Sequence, residues 1–307
     1  MASTLPASLG QTESVFSQAN LQSFADILRS EWKTLRSELN RILDAASINH
    51  VNHPSFIIGF SPYEWGTEQP GQVQQRADFM DRYDQWFERF TLLFPSAIPT
   101  IADQIQDADE LIRSWIARSD SNSWSVPKSI DDAFKTASRR LAPFEALIDQ
   151  RAPSADAVVL AIIDTNCLLR EPELATYASF LPGRPTQLVF PPVVIAELDD
   201  LKDRGRTPEV RTAANKAVRR LKGLRGRGSM IDGVPVQGST TARLVPVEPK
   251  AADAASWLDL SVPDDRLIAS AMSLQATHPS AIVVLITGDL NLATKAEFAG
   301  LPSIDPS

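Results

Sequence analysis

The spacing of apolar residues changes midway along the chain. Over residues 15–46, Phe16, Leu21, Phe24, Ile27, Leu28, Trp32, Leu35, Leu39 and Ile42 recur at intervals of mostly three and four, which predicts a helix with one buried face. The same period returns over 73–93, with Phe79, Tyr83, Trp86, Phe87 and Phe90. It returns again over 98–117, with Ile101, Ile105, Leu111, Ile112, Trp115 and Ile116. A fourth helix is expected over 130–148, with Ser129 placed as its cap and Asp131 and Asp132 favouring the first turn. Pro and Gly punctuate residues 53–71, and residues 119–127 are Ser-rich, so both predict loops.

Residues 150–155, Gln-Arg-Ala-Pro-Ser-Ala, read as a linker, and beyond them the pattern is different. Short apolar runs predict strands at 158–163, 188–190, 244–247 and 282–286, with another near 303–304. Helices are expected at 168–181, 193–203, 208–222, 264–277 and 292–298. Thr207 and Pro208 mark the start of the third of these, and Gly223 its end. Five glycines between Gly223 and Gly238 predict a mobile loop. Strands alternating with helices imply a parallel sheet covered on both faces. The expected architecture is an α/β domain of three layers, α/β/α, over residues 151–307, preceded by an all-α domain over 1–150.

Charge sharpens this division. The net charge of −8 is unevenly spread. Residues 1–150 hold 13 Lys and Arg against 20 Asp and Glu, a balance of −7. Within residues 202–228, Lys202, Arg204, Arg206, Arg211, Lys216, Arg219, Arg220, Lys222, Arg225 and Arg227 face only Asp203 and Glu209, a balance of +8. Such a block suits a polyanion such as nucleic acid, or else forms a solvated helix face. The acidic first half suits a protein partner or a second copy of the chain better than a broad grip on nucleic acid. Apolar runs of about seven residues fall far short of the ~20 that span a bilayer, so no membrane is expected. A single cysteine, Cys167, and a start without signal-peptide character favour the cytoplasm.

Four acids stand where apolar runs give way to turns or helix starts. Asp164 follows the run 157–163, Glu197 lies a turn beyond Pro191-Pro192, Asp265 stands beside Asp264 at a helix start, and Asp289 follows the run 282–286. Three of the positions have a plain structural use: Asp164 and the Asp264-Asp265 pair as helix caps, Glu197 as an acid in the first turns of a helix. Asp289 combines a strand exit, a Gly turn and polar neighbours. Together, at the carboxyl ends of parallel strands, they would repel one another. Raised pKa values or a bound cation would relieve that repulsion, and a divalent ion points to phosphodiester chemistry. Other motifs carry less. Cys167 has no histidine near it in sequence, His50 and His53 lack further ligands, and most of the six tryptophans fall in the helical half, three of them on apolar helix faces.

In order, these signals are Asp164-Thr165-Asn166-Cys167-Leu168, an acid 33 residues on, Asp265-Arg266-Leu267-Ile268-Ala269, and Thr287-Gly288-Asp289-Leu290-Asn291-Leu292. The set resembles the PIN domain family of nucleases over about residues 157–304. That resemblance implies a five-stranded parallel sheet and an endoribonuclease acting on single-stranded RNA. It also implies an acidic Mg2+ or Mn2+ site of Asp164, Glu197, Asp265 and Asp289. Asp264, Asn166, Thr287 and Asn291 match accessory positions, and the ten basic residues would hold the RNA backbone. A structure-specific DNA nuclease and a silent PIN-fold scaffold or RNA-binding protein remain the competing readings.

Overall fold

The computed structural model describes residues 21–51, 62–95, 97–118, 126–152, 158–181, 183–250 and 254–306. Residues 15–20 of the first expected helix, most of the 119–127 loop, residues 53–61 of the 53–71 segment and the later part of the linker lie outside them.

In the first half, α1 (Phe24–Asp44), α2 (Pro70–Thr91), α3 (Pro99–Ile112) and α4 (Ile130–Arg151) bury their apolar faces against one another. Ser23 caps α1 by accepting from the Asp26 amide, and Ser129 caps α4 in the same way from Asp132, each at 3.2 Å. The core is aromatic. Trp32 stacks on Trp86 at 4.9 Å, Phe144 meets both rings edge-on, and the Trp86 indole donates to the Leu28 carbonyl at 3.0 Å. Two features depart from the all-α expectation. A short antiparallel ribbon joins β1 (Ile48–His50) to β2 (Tyr63–Trp65), and α3 ends in a π-helical turn over Arg113–Ala117, which Arg118 closes at φ 52°.

The second half contains a six-stranded sheet among the described residues. Its strands are β3 (Val159–Ile163), β4 (Thr186–Phe190), β5 (Val234–Gln237), β6 (Thr240–Leu244), β7 (Ile282–Ile286) and β8 (Ser303–Ile304), in the order β5-β6-β4-β3-β7-β8. All neighbours are parallel except β5 and β6. Every residue of β3 and β7 is buried, which is why both read as unbroken apolar runs. From β3 the chain steps to β4 and then β6 on one side, and it later returns to β7 and β8 on the other. The strand order therefore reverses between β3 and β7. Open parallel sheets gather their functional groups at such a reversal, beyond the carboxyl ends of the strands.

Helices α5 (Thr165–Arg170), α6 (Leu174–Ala178), α7 (Pro192–Arg204), α8 (Pro208–Arg225), α9 (Pro263–Thr277) and α10 (Leu290–Phe298) accompany the sheet. Four sequence expectations need correction. The single helix over 168–181 is two short helices, because Pro172 cannot continue the ladder of α5. The strand placed at 244–247 runs instead over Thr240–Leu244. Gly223 does not stop α8, which continues to Arg225. The expected loop over 223–238 contains β5, an antiparallel edge strand whose Pro235 and flanking glycines hid its alternation. The two halves touch directly: the Ala25 amide donates to the Pro279 carbonyl at 3.0 Å, and Leu21 and Leu92 pack against the core of the sheet.

Candidate active site

Asp164 ends β3 and begins α5. Its amide donates to the Ile286 carbonyl at 3.0 Å, which pins it beside the end of β7. The side chain is only 4% exposed, and its Oδ2 accepts from the Thr287 hydroxyl at 3.2 Å. Burial pushes its pKa up to about 6. The Thr287 hydrogen bond opposes the rise, while the charges of Glu197 and Asp264 add to it.

Thr287 is itself buried, and its hydroxyl also accepts from the Asp289 amide at 3.0 Å. One hydroxyl thus joins the acids at the exits of β3 and β7, across the point where the strand order reverses. Asp289 is exposed and caps α10, its Oδ1 accepting from the amides of Asn291 at 2.8 Å and Leu292 at 3.1 Å. Asn166 and Asn291 are exposed at the same edge.

Glu197 comes from the second turn of α7 and is half-buried. Its Oε2 accepts from the Thr165 hydroxyl at 2.8 Å. Burial raises its pKa, the Thr165 hydrogen bond pulls it down, and the Asp264 charge raises it again. Asp264 in the first turn of α9 is half-buried as well. Burial raises its pKa, Lys295 opposes the rise, and Asp289 and Asp265 reinforce it. The hydrogen bonds of Thr165 to Glu197 and of Thr287 to Asp164 and the Asp289 amide bring acids from separated stretches of sequence to one edge of the sheet.

Asp265 is held differently from its neighbour. It is 7% exposed, its Oδ1 pairs with the Lys295 ammonium, and its Oδ2 accepts from the Asp259 amide at 2.9 Å. The hydrogen bond that Lys295 donates to Asp265 raises the Lys295 pKa, and the charges of Asp265, Asp264 and Asp289 add to the rise. Asp264, an accessory position in the sequence reading, is therefore the member of the pair that faces Glu197, and Asp265 is anchored. Sequence reasoning does not single out Thr165 or Lys295 as site residues. Thr165 reads as a helix cap, and Lys295 lies 30 positions from the acid it meets.

The donor set is made of hard carboxylate oxygens supported by hydroxyls, which suits a divalent cation. The upward shifts of Asp164, Glu197 and Asp264 are the strain such a cation would relieve. Among the described residues, no three acids already stand in coordinating range of one point. The oxygen donors fit a cation, and the side chains would have to draw closer around it.

The basic block divides into two groups. Lys202 pairs with Asp199 at 3.0 Å, Arg204 with Asp200 at 3.3 Å, and Arg220 with Glu173. Arg211 donates to the Gly205 carbonyl, and Arg227 to that of Pro235. Lys216, Arg219, Lys222 and Arg225 are exposed on α8, and Arg206 is exposed just before it. Cys167 is buried, and burial raises its pKa, so it is a poor nucleophile. No helix among the described residues is long and apolar enough to cross a membrane.

A family model described as the PIN domain matches residues 161–307, a span that holds Asp164, Glu197, Asp264, Asp265 and Asp289. No curated protein matches the chain.

Proposed function

Residues 161–307 are a PIN domain, a fold of the nuclease superfamily, and from that premise we propose that the chain is a metal-dependent endoribonuclease cutting single-stranded RNA. PIN domains generally use divalent metal ions. Asp164, Glu197, Asp264 and Asp289 would hold Mg2+ or Mn2+, with Asp265 behind them. When bound, the ion supplies a Lewis acid and counter-charge for the phosphoryl oxygens.

The chain's own residues prepare this edge. Thr165 fixes Glu197, and Thr287 fixes Asp164 and holds the backbone of Asp289. Lys295 places positive charge beside Asp265, Asp264 and Asp289, a sign that an approaching phosphate needs. Exposed Lys216, Arg219, Lys222 and Arg225 would hold the RNA backbone without sequence preference. The observation carrying this reading is that Thr287 links the acids at the exits of the two strands flanking the reversal. RNA is preferred to DNA on the motif resemblance.

The helical half, with its excess of acids, is assigned to binding a protein partner or a second copy of the chain. The cytoplasm is the proposed compartment. The test is incubation with single-stranded RNA, single-stranded DNA and a flapped duplex in Mn2+, repeated in EDTA. RNA cleavage that EDTA stops supports the reading. Cleavage of the flap alone would move it to DNA, and intact substrates throughout would leave a scaffold.

A further inference from the structure

Large exposed hydrophobic side chains are few among the described residues, and four of them lie close to the acids in sequence. Trp257 is 43% exposed, Val262 38%, Leu290 83% and Phe298 76%. Trp257 and Phe298 meet edge to face, with ring centroids 6.5 Å apart at 64°. Their neighbours tie both rings to the acid edge. Asp259, two residues after Trp257, donates its amide to Asp265, and Lys295, one turn before Phe298, pairs with the same carboxylate.

The two rings line a cleft of about 340 Å³, a size ordinary for small-ligand sites. Met272 of α9 lies in its apolar wall. The opposite wall comes from the helical half, where α2 contributes Gln85, Glu88 and Arg89. Glu88 is bound into this junction, accepting from the Ser256 amide at 3.4 Å. Aromatic faces on one side and amide, carboxylate and guanidinium groups on the other are what an unpaired nucleobase requires. It needs a surface to stack on and donors and acceptors for its edge.

Spacing along the helices fits a strand that also reaches the acids. Met272 lies seven residues beyond Asp265 on α9, about 10 Å at the helical rise, and Phe298 about 4.5 Å beyond Lys295 on α10. Counted from Asp289 at the start of α10, Phe298 lies about 13.5 Å along the helix, so the rings stand on the order of three or four phosphate spacings from the acids.

We propose that Trp257 and Phe298, with α2 as the facing wall, bind one unpaired base of the RNA strand a few nucleotides from the bond being cut. This rests on the nuclease reading above and adds a base-binding subsite built by both halves of the chain. In it the helical half serves as part of the substrate site as well as a module.

The test uses the full chain carrying Asp164→Asn, so that binding is read without cleavage. Affinity for a fluorescent single-stranded RNA is measured with Trp257→Ala, Phe298→Ala and Trp257→Phe added in turn, each checked for folding by circular dichroism. Stacking on one base implies that either alanine weakens binding about tenfold, while phenylalanine at 257 retains most of it. Scanning one abasic nucleotide along the RNA should find a position where the alanine variants lose nothing further. Photocrosslinking with 5-iodouridine should label the peptide containing Trp257 or Phe298.

Unchanged affinity in both alanine variants overturns the subsite, and cleavage of RNA by the otherwise native chain would show that the nuclease reading survives it. Variants that leave RNA binding intact but break up an oligomer would give the rings to protein association. If the chain neither cuts nor binds RNA, both readings fail together.

Discussion

The Lys295 ammonium on α10 pairs with the Asp265 carboxylate at the start of α9, and the Asp259 amide satisfies the other oxygen of that acid. This pair sets how much of the acid edge is open. With both its oxygens engaged, Asp265 is structural in this state, and Asp264 takes the exposed side of the helix start.

Removing the lysine should therefore cost more stability than an ordinary surface change. Lys295→Met leaves a nearly buried carboxylate without its cation, a loss of about 3 kcal/mol for a desolvated pair. Adding Asp265→Asn should recover much of it, because the residual charge is gone. Chemical denaturation of the two single variants and the double variant measures the coupling. Additive losses would show that the pair does not matter to the fold.

Asp164 is expected to show the opposite balance. Its folded pKa is raised to about 6 from the ordinary aspartate value of 3.8. Its ionisation therefore opposes folding: stability is fully present below the unfolded pKa and is lost as pH rises from about 4 through about 6. Asp164→Asn removes that penalty. In EDTA it should raise stability above about pH 7 by an amount on the order of 2 kcal/mol, and the gain should vanish near pH 4. Thermal melts across that range decide it, and a variant less stable at neutral pH would contradict the origin given for the shift.

Thr287 lowers the pKa of Asp164 by donating to it and also satisfies the Asp289 amide. Thr287→Val should cost about 1–2 kcal/mol through the unmet amide and the missing hydrogen bond. It should also move the acidic limb of the pH–rate profile for RNA cleavage to higher pH. A lower stability with an unmoved limb would mean that Asp164 does not govern the profile.

On α8, Arg219, Lys222 and Arg225 replaced together by Ala should weaken RNA binding and flatten its dependence on salt. The slope should fall by about 0.7 for each phosphate of a single strand that is no longer neutralised. Lys202→Ala with Arg204→Ala is the control, since both side chains already pair with acids on α7. Equal slopes in the two sets would remove α8 from the interface.

Gly205, between α7 and α8, has no room for a side chain. A Cβ there would lie 2.5 Å from the Leu201 carbonyl oxygen, which belongs to the backbone and cannot swing away. At Gly288 the nearest atom, 2.4 Å away, is the end of the Arg170 side chain, which can move. Gly205→Ala should thus cost on the order of 1–3 kcal/mol and Gly288→Ala much less, as read by denaturant midpoints. The reverse order would contradict the packing described between these helices.

The elements legible from sequence are those whose local pattern matches their burial. β3 and β7 are buried on both faces and read as unbroken apolar runs, and Ser129 caps α4 as its sequence context predicts. β5 is hidden in the sequence because an edge strand with Pro235 and an adjacent turn at Gly238 (φ 56°) needs no sustained alternation. The α5–α6 break is signalled by Pro172, yet the leucines on either side suggest one continuous face. In the site, acids at strand exits can be read from position alone. The grip of Lys295 on Asp265 cannot, because it joins two helices that sequence does not place side by side. Thr165 carries a signal in its place beside Asp164, but its partner Glu197 is 32 residues away.

Titration of the full chain with Mn2+, followed by the loss of the free-ion electron paramagnetic resonance signal, tests most directly whether these acids form one cation site. Saturable binding is expected, and Asp164→Asn or Asp289→Asn should each weaken it at least about tenfold, the loss of one charged ligand. Binding that both variants leave unchanged, or no saturable binding by the native chain, would contradict a shared site.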